Sequence, residues 1–547
     1  MAGRDDGIRP AKREEVLPVA MAAMVLAFLA VIVCFSKGYL LLYGDAVAHM
    51  GIARRIFDSR NPGLPQLGGV WLPLPHLLML PFVRSMDMWR NGLAGAWPSL
   101  LCYIFGVAGF YRLGRRMLAP RWALAATAFY ALDPNLLYLS TTAMTEPLFL
   151  ALLVWITLLT VECVAAIRAG QPVQAAWRMT MLGWLIFAAV FTRYDGWVLG
   201  AVVWCVVTWH LWKARGLWPR MAPAFAVFTL LAIAGPALWL WYNQHFFHDP
   251  LDFMRGPYSA PAIEKKTSPP GSKHYRGWHN PGWALLFYTR TAQVDAAAWE
   301  TGFAAMVAAL TGAWIAARRR IETAALLLWM PLGFYVYSIA YGSVPIFIPQ
   351  LYTHSYYNSR YGIELLPALA LFALIAVVRL ERWLAAWEIR GVSPLLARLL
   401  YPVVLSLAVL NSVVMIYRTP LVLKEALVNA TTRVPFERNL ARAIDDFLPG
   451  APILMQNSDY IGALQDAGIP LKQTINEGEW YSWHEALEDP AGHAAYVIAI
   501  AGDPVSKAVA EHPEGLQELT ILCGTGQPCA RIYRSEHYAA AGPGGGR

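Results

Sequence analysis

The 547-residue sequence has little charge. Only 15% of its residues are Asp, Glu, Lys or Arg, against about a quarter in an ordinary soluble domain. This deficit, with a hydrophobic share of 57% and a mean hydropathy of +0.40, predicts a polytopic membrane protein. The net charge of +8 does not indicate a nucleic-acid partner, because most basic residues flank hydrophobic segments, where they set orientation.

Cysteine is also scarce, and its distribution argues against a cysteine-based metal framework. Four of the six cysteines lie inside apolar runs, where they are expected to pack in the core: Cys34, Cys102, Cys163 and Cys205. The other two, Cys523 and Cys529, lie in the polar tail and can pair if that tail is outside the cell. The tail has no glycine-rich phosphate-binding fingerprint, and the chain has no visible internal repeat, which weakens an inverted-repeat transporter interpretation.

What the sequence does have is long apolar runs. A membrane-spanning helix needs about 20 mostly apolar residues. This length predicts about eleven spans, near 18–36, 92–111, 121–139, 147–167, 179–193, 196–212, 222–242, 296–317, 322–341, 361–379 and 399–417. The shorter, proline-broken stretch at 71–82 is expected to be re-entrant or interfacial.

Lys and Arg cluster at every second boundary between spans, which fixes the predicted orientation. The amino terminus is expected in the cytoplasm, so that the loops 37–91, 243–295 and 342–360 lie outside. Residues 1–417 then form the membrane domain. Residues 418–547 form a small extracytoplasmic α/β domain, with strands at "APILMQ" and "AAYVIAIA", helices at "ERNLARAIDDFL" and "DPVSKAVAEH", and a flexible end, "AAAGPGGGR".

Polar residues collect at the external ends of the spans. They lie in "YGDAVAHMGIARRIFDS", "LSTTAMTEPLFL", "FTRYDGWVLG" and "HSYYNSRYGIELLPALAL", and the candidate residues are Asp45, His49, Glu146, Arg193, Asp195, Tyr357, Arg360 and Tyr361. Each site alone has a structural explanation. Asp45 and Glu146 suit helix N-termini, Arg193 and Asp195 suit a local ion pair, and an interfacial Arg or Tyr is common.

Four such sites on one side of the membrane indicate more than four separate structural roles, because ionisable residues at membrane depth face a bundle interior or a watery cavity. A carboxylate there can take a proton from an acceptor hydroxyl or amine. An arginine can hold a phosphate leaving group. Arg255, in the basic loop 243–295, is either a substrate contact or part of a solvated, lipid-facing loop.

The motifs "GDAVAH", "TTAMTEPLFLALL", "TRYDGW" and "SRYGIELLPALALF" together resemble the GT-C fold. They are most similar to glycosyltransferase family 39, which includes protein O-mannosyltransferases and the aminoarabinose transferase of lipid A. The resemblance covers residues 18–417. It implies an inverting transferase that moves a sugar from a polyprenyl-phosphate donor to a lipid, glycan or protein acceptor on the outer face of a bacterial inner membrane.

The resemblance also assigns roles. Asp45 matches the catalytic base, Glu146 matches a second acidic position, and Arg360 matches the arginine expected on the donor phosphate. The element "WLPLPHLL" lacks the lysine that some family members carry, and His76 or Arg84 would substitute for it. Some GT-C enzymes use a divalent metal, and Asp45, His49 and Glu146 could ligate such an ion. No cofactor and no obligatory metal are expected, because the first loop has no close-spaced acidic pair.

Other functions remain open at this point. A polyprenyl-linked sugar transporter would spread polar residues through the depth of the spans, whereas this chain concentrates them at the outer ends. A sensor anchored in the membrane would not need eleven spans. An oligosaccharide ligase or polymerase would share the lipid-phosphate donor. Within the preferred interpretation, His49 lies one helical turn from Asp45 and would orient it or the substrate.

Overall fold

The computed structural model describes residues 10–267, 271, 274–386 and 392–541. Its first part is helical. The helices are α1 Arg13–Ser36, α2 Gly44–Arg55, α3 Leu74–Val83, α4 Met86–Asn91, α5 Leu93–Arg115, α6 Pro120–Ala131, α7 Pro134–Leu139, α8 Glu146–Arg168, α9 Pro172–Val190, α10 Asp195–Lys213, α11 Trp218–Phe247, α12 Asp252–Arg255, α13 Ala260–Thr267, α14 Pro281–Ala296, α15 Thr301–Arg319, α16 Met330–Tyr341, α17 Leu366–Ala386, α18 Val392–Tyr417 and α19 Leu421–Ile444.

Within the described ranges, nine helical stretches are long and apolar enough to cross a membrane. They are Arg13–Ser36, Leu93–Arg115, Glu146–Arg168, Pro172–Val190, Arg215–Phe247, Thr301–Arg319, Thr323–Tyr341, Ser359–Ala386 and Arg398–Ile444. The protein is therefore an integral membrane protein. The nine stretches coincide with nine of the eleven predicted spans.

The remaining two predicted spans differ from the structure in different ways. The prediction of one span at 121–139 is wrong, because α6 ends at Ala131 and α7 begins at Pro134. Asp133 accepts hydrogen bonds from the first backbone N–H groups of α7, and the proline after it cannot continue the preceding helix. The span predicted at 196–212 is present as α10, a 19-residue helix that is not one of the nine apolar stretches.

The tail forms the predicted small α/β domain. Its elements are β1 Ile453–Met455, α20 Asn457–Ala467, β2 Thr474–Ile475, α21 Trp480–Glu488, α22 Pro490–His493, β3 Tyr496–Ile500, α23 Pro504–Glu511, β4 Leu516–Leu522, β5 Ala530–Ser535 and α24 Glu536–Ala541. The strand order is β2-β1-β3-β5-β4, with β1 parallel to β2 and β3, and β5 antiparallel to β3 and β4. Cys523 and Cys529 form a disulfide. Residues 542–547 of the predicted flexible end lie outside the described ranges.

The helix predicted at "ERNLARAIDDFL" is present, but it is the end of a longer helix that begins well before that stretch. Most of that stretch belongs to α19, which begins at Leu421 and contacts both α7 and α20. The tail domain then packs on the segment that joins α1 to α5. The backbone N–H of Arg60 donates to Glu479 Oε1 over 2.7 Å, and Arg90 Nη2 donates to the carbonyl of Asp466 over 2.7 Å. α19 and the sheet domain therefore cover the side of the molecule where the polar loops meet.

Candidate active site

Asp45 lies in the first turn of α2 and is not its N-cap. The helix begins at Gly44, so the capping position falls on Tyr43, which makes no side-chain capping bond. The Asp45 carboxylate instead reaches across to the polar segment before α17, where its Oδ2 lies 2.6 Å from Arg360 Nη2. The Asp45 side chain is 42% exposed, whereas that of Arg360 is 8% exposed. The pair therefore joins a buried arginine to an accessible carboxylate.

Arg360 has two further carboxylate neighbours, and both are buried. Its Nε donates to Glu146 Oε1 over 3.1 Å, and its Nη1 lies 3.8 Å from Glu425 Oε1. The rings of Tyr43 and Tyr361 lie 5.4 and 4.9 Å from the guanidinium carbon, within cation–π range. We call Arg360 with Asp45, Glu146 and Glu425 the open centre, because Asp45 is accessible.

A second arginine lies beside the first and shares one ligand with it. Arg193 Nη1 lies 3.3 Å from the same Glu146 Oε1 that contacts Arg360. Its Nε donates to Asp195 Oδ2 over 3.2 Å, and its Nη2 lies 3.2 Å from Glu364 Oε1. Asp195 and Glu364 are fully buried. We call Arg193 with Glu146, Asp195 and Glu364 the closed centre. The predicted local ion pair of Arg193 and Asp195 exists, as one part of this larger network.

Tyrosines complete the closed centre. Arg193 Nη2 donates to the hydroxyl of Tyr335 over 2.6 Å, and that hydroxyl donates to Glu364 Oε1 over 2.7 Å. The Tyr335 ring stacks on Tyr361 at 5.1 Å, and Tyr361 also lies 5.0 Å from the guanidinium carbon of Arg193. Tyr361 therefore contacts both arginines and keeps the two centres side by side.

α19 fixes the segment that carries Arg360. The Glu425 carboxylate accepts hydrogen bonds from the backbone N–H groups of Asn358 and Ser359, at 2.9 and 2.8 Å, and from the Ser359 hydroxyl. Asn358 has a left-handed φ of 54°, which asparagine tolerates better than most residues. Gly362 follows where the segment presses on α14, and a Cβ there would overlap the backbone of Thr291 and Ala292. Only glycine fits that close approach.

The same helix also fixes the segment that carries Asp45. Arg433 Nη2 donates to the carbonyls of Leu41 and Leu42, at 3.1 and 2.9 Å. The Tyr43 hydroxyl donates to the carbonyl of Val422 over 2.9 Å. α19 thus anchors both partners of the ion pair of Asp45 and Arg360, although they are 315 residues apart in sequence.

His49 does not contact Asp45 in this structure. Its Nδ1 lies 2.8 Å from His76 Nε2, and its ring stacks on Trp71 at 4.2 Å. Burial, followed by the nearby Arg360 and Arg193, lowers the pKa of His49 to about 3. Burial and the adjacent His49 lower the pKa of His76 well below its ordinary value. The two histidines therefore form a neutral, hydrogen-bonded pair beside the open centre.

Two further predicted residues lie at the edge of the site or beyond it. Tyr357 pairs by its backbone with Phe347, and its side chain is 38% exposed. Burial and the neighbouring Tyr361 and Asp45 raise the pKa of Tyr357 to about 12. Arg255 lies on α12, where its 67% exposed side chain is 3.8 Å from Asp249. No contact among the described residues joins Arg255 to either centre.

Sequence reasoning left two carboxylates out of the candidate residues. Glu364 lies in the motif "HSYYNSRYGIELLPALAL", but nothing in the motif distinguishes this glutamate from the residues around it at the start of the span. Glu425 lies beyond the last predicted span. The sequence pattern that could have identified Glu425 is its position on one helical face with Leu421, Val422 and Ala426, all of which are buried. A glutamate on the apolar face of an amphipathic helix indicates a buried partner.

The open and closed centres together contain more carboxylates than arginines. Five carboxylates, from Asp45, Glu146, Asp195, Glu364 and Glu425, face two arginines. One carboxylate can therefore leave Arg360 without stripping it of countercharge, because Glu146 and Glu425 remain. Within the described part of the chain, no group of three His, Cys, Asp or Glu side chains is arranged to hold a metal ion. We therefore derive no step through a metal.

The fold and this ionic network define a polytopic membrane protein with a cluster of arginines and carboxylates held between its helices. The chain is similar to ArnT from Cupriavidus metallidurans in its crystal structure bound to undecaprenyl phosphate. The TM-score is 0.56 and the identity 13%, over 95% of this chain and 98% of that chain. This likeness shows the fold, and the predicted GT-C fold is confirmed.

Two weaker likenesses carry no argument here. The apo structure of the same ArnT matches with a TM-score of 0.49 and 15% identity, over 92% of this chain and 98% of that chain. The archaeal oligosaccharyltransferase AglB from Archaeoglobus fulgidus matches with a TM-score of 0.49 and 10% identity, over 96% and 74% of the two chains. No protein-family model matches the sequence, and no curated protein matches it either.

Proposed function

We propose that this protein is a membrane glycosyltransferase that moves a sugar from a polyprenyl-phosphate donor to an acceptor on the extracytoplasmic face of a bacterial inner membrane. The observation that carries the proposal is the ion pair of the open centre, in which an accessible carboxylate, Asp45, lies on a buried arginine, Arg360. The undecaprenyl phosphate bound to ArnT supports the class of donor.

In this proposal the donor phosphate exchanges with Asp45 on Arg360. A phosphate and a carboxylate compete for the same guanidinium N–H donors. Asp45 is the exposed ligand of Arg360, while Glu146 and Glu425 are buried, so Asp45 is the ligand that a phosphate can reach. Binding of the donor would thus free Asp45 beside the sugar. The base becomes available only when the leaving group is in place.

The transfer then depends on the freed Asp45 and on the donor phosphate bound to Arg360. The acceptor hydroxyl or amine attacks the anomeric carbon from the face opposite the phosphate, and the bond between that carbon and the phosphate oxygen breaks. Asp45 takes the proton of the attacking group as the new bond forms. The electron pair of the broken bond stays on the phosphate, whose charge Arg360 stabilises. Attack from the opposite face inverts the anomeric configuration.

Glu146 has a supporting role in this proposal. Its Oε1 lies between the two arginines and its side chain is 1% exposed, so no acceptor reaches it in this arrangement. The position of Glu146 suits it to hold Arg360 beside Arg193. The predicted catalytic role of Glu146 becomes a positioning role, and the base is Asp45 alone.

The experiment uses the purified full-length protein in nanodiscs with a panel of polyprenyl-phosphate monosaccharides and a membrane-lipid extract as acceptor. Mass spectrometry follows the loss of sugar-lipid, the appearance of free polyprenyl phosphate and the glycosylated product. We expect one donor to be consumed with release of polyprenyl phosphate. If no donor is consumed while a fluorescent donor analogue moves between leaflets, the protein is a sugar-lipid transporter and the proposal fails.

A further inference from the structure

A cavity lies at the end of the helices opposite the open and closed centres. It has a volume of about 520 Å³ and lies between α5, α8 and α9. Its polar lining residues are Arg112, Glu162, Gln174 and Arg178. Glu162 follows Glu146 by 16 residues on α8, which places it about 24 Å further along the helix axis. The cavity is therefore separate from the candidate active site.

The charges in this cavity do not balance. Glu162 Oε2 accepts a hydrogen bond from Arg178 Nε over 3.1 Å, while Glu162 Oε1 lies 4.0 Å from Arg112 Nη2. Arg112 makes no hydrogen bond to another described residue; its guanidinium carbon lies 5.0 Å from the Trp155 ring. Two arginines thus share one carboxylate, which leaves one positive charge and several guanidinium N–H donors for a ligand.

Apolar side chains lead from the membrane to these arginines. Val173, Trp177 and Trp184 follow one face of α9 at spacings of four and seven residues, and all are more than half exposed. Leu101 and Phe105 form a similar face on α5, also more than half exposed, and Arg112 lies seven residues beyond Phe105. In a membrane-spanning helix such faces lie against acyl chains. The α5 face ends at Arg112, and Arg178 lies next to Trp177 in the sequence of α9.

We propose that this cavity binds the headgroup of an anionic phospholipid. The phosphate would lie between Arg112 and Arg178, where charge-assisted hydrogen bonds are strongest. The acyl chains would run along the exposed faces of α5 and α9, and Trp177 would sit at the headgroup level, where tryptophan is favoured. Basic pockets between membrane helices suit anionic lipid headgroups. Glu162 competes with the phosphate for both arginines and therefore tunes the affinity.

The test compares lipid binding to three variants of the full-length protein by native mass spectrometry, with phosphatidylglycerol and phosphatidylcholine as probes. The triple variant Arg112→Gln/Glu162→Gln/Arg178→Gln removes the charges without leaving a buried carboxylate unpaired. We expect its affinity for phosphatidylglycerol to fall about tenfold or more. Glu162→Gln alone should bind phosphatidylglycerol more tightly than wild type. Arg318→Gln is the control. Arg318 is an exposed arginine on α15, near the end of the helices where the cavity lies, and its replacement should not change lipid binding.

Four results would overturn the proposal. The first is unchanged phosphatidylglycerol binding in the triple variant, with folding checked by thermal melting. The second is a Glu162→Gln variant that binds no tighter than wild type. The third is equal retention of phosphatidylcholine by the wild type, since a net positive cavity should favour the anionic lipid. Inorganic phosphate is included as a competitor, and displacement at millimolar phosphate would show a free-phosphate site instead of a lipid site.

Discussion

The open and closed centres are built from the same groups but differ in access. Each has one arginine with three carboxylates, and the two share Glu146. In the closed centre every carboxylate is 1% exposed or less, and a tyrosine hydroxyl bridges Arg193 and Glu364. In the open centre one carboxylate, Asp45, is 42% exposed. Access, and not the kind of residue, separates a structural ion network from a candidate reaction centre.

The largest expected effect is on stability and belongs to the closed centre. Arg193→Gln removes the arginine that pairs with Asp195 and Glu364 and leaves these two fully buried carboxylates without it. Breaking a buried pair in this way costs about 3–5 kcal/mol. We expect a sharply lower melting temperature or loss of folded protein in detergent. Asp45→Asn is the matched control, because its carboxylate is partly exposed, and it should melt close to wild type. Equal melting of both variants would remove the distinction between the two centres.

The second effect concerns the neutral histidine pair beside the open centre. The folded pKa of His49 is about 3, below the value of about 6.5 in an unfolded chain. The unfolded state therefore binds a proton first, so stability is full above pH 6.5 and is lost as the pH falls toward 3. Between pH 6.5 and 5, about 2 kcal/mol should be lost from this residue.

The measurement is the melting temperature between pH 7.5 and 4.5. His49→Gln/His76→Gln should show a flatter acid limb than wild type, because glutamine does not titrate. An identical acid limb in the double variant would show that other groups, and not these histidines, control acid stability.

The third effect concerns donor binding at the open centre. Arg360→Lys keeps the charge but loses the planar fork that contacts three carboxylates and, in our proposal, the phosphate. We expect donor affinity to fall about tenfold, the effect of losing roughly one charged hydrogen bond. The measurement is titration of a fluorescent polyprenyl-phosphate analogue. Unchanged affinity would move the phosphate site away from Arg360.

The smallest effect concerns the positioning of Arg360 by α19. Glu425→Gln keeps an oxygen for one backbone N–H but cannot accept from Asn358, Ser359 and the Ser359 hydroxyl as the carboxylate does. We expect turnover to fall about fivefold, in keeping with about 1 kcal/mol for a weakened hydrogen bond. Glu437→Gln changes another buried glutamate of α19, which pairs with Arg433 and not with Arg360, so turnover should fall less than in Glu425→Gln. An equal loss in both variants would indicate a general weakening of α19.

The proximity of several candidate residues could be predicted, because they stand at the ends of hydrophobic spans. Asp45, Glu146, Arg193 and Arg360 each follow or precede an apolar run, and topology alone brings such ends to one side. The partners could not be predicted. That Glu146 bridges two arginines, and that Glu425 reaches back from α19, depend on how helices far apart in sequence pack together.

In the fold too, some features could be predicted from the sequence and others could not. Apolar length predicted most spans, but the break at Asp133 and Pro134 was missed because a window average hides one polar residue between apolar runs. Asp45 suits a helix N-terminus by residue type and lies in the first turn of α2, but it does not cap that helix. What decides its role is Arg360, 315 residues away.

One measurement tests the central claim, that donor phosphate displaces Asp45 from Arg360 and frees it as the base. Donor affinity and single-turnover rate are measured together for wild type and Asp45→Asn. The exchange predicts that Asp45→Asn binds the polyprenyl-phosphate sugar as tightly as wild type or more tightly, because Arg360 no longer has to release a carboxylate. It also predicts that transfer falls about 10²–10⁴-fold. A folded Asp45→Asn variant that transfers the sugar at the wild-type rate, or that loses donor binding, would contradict the account.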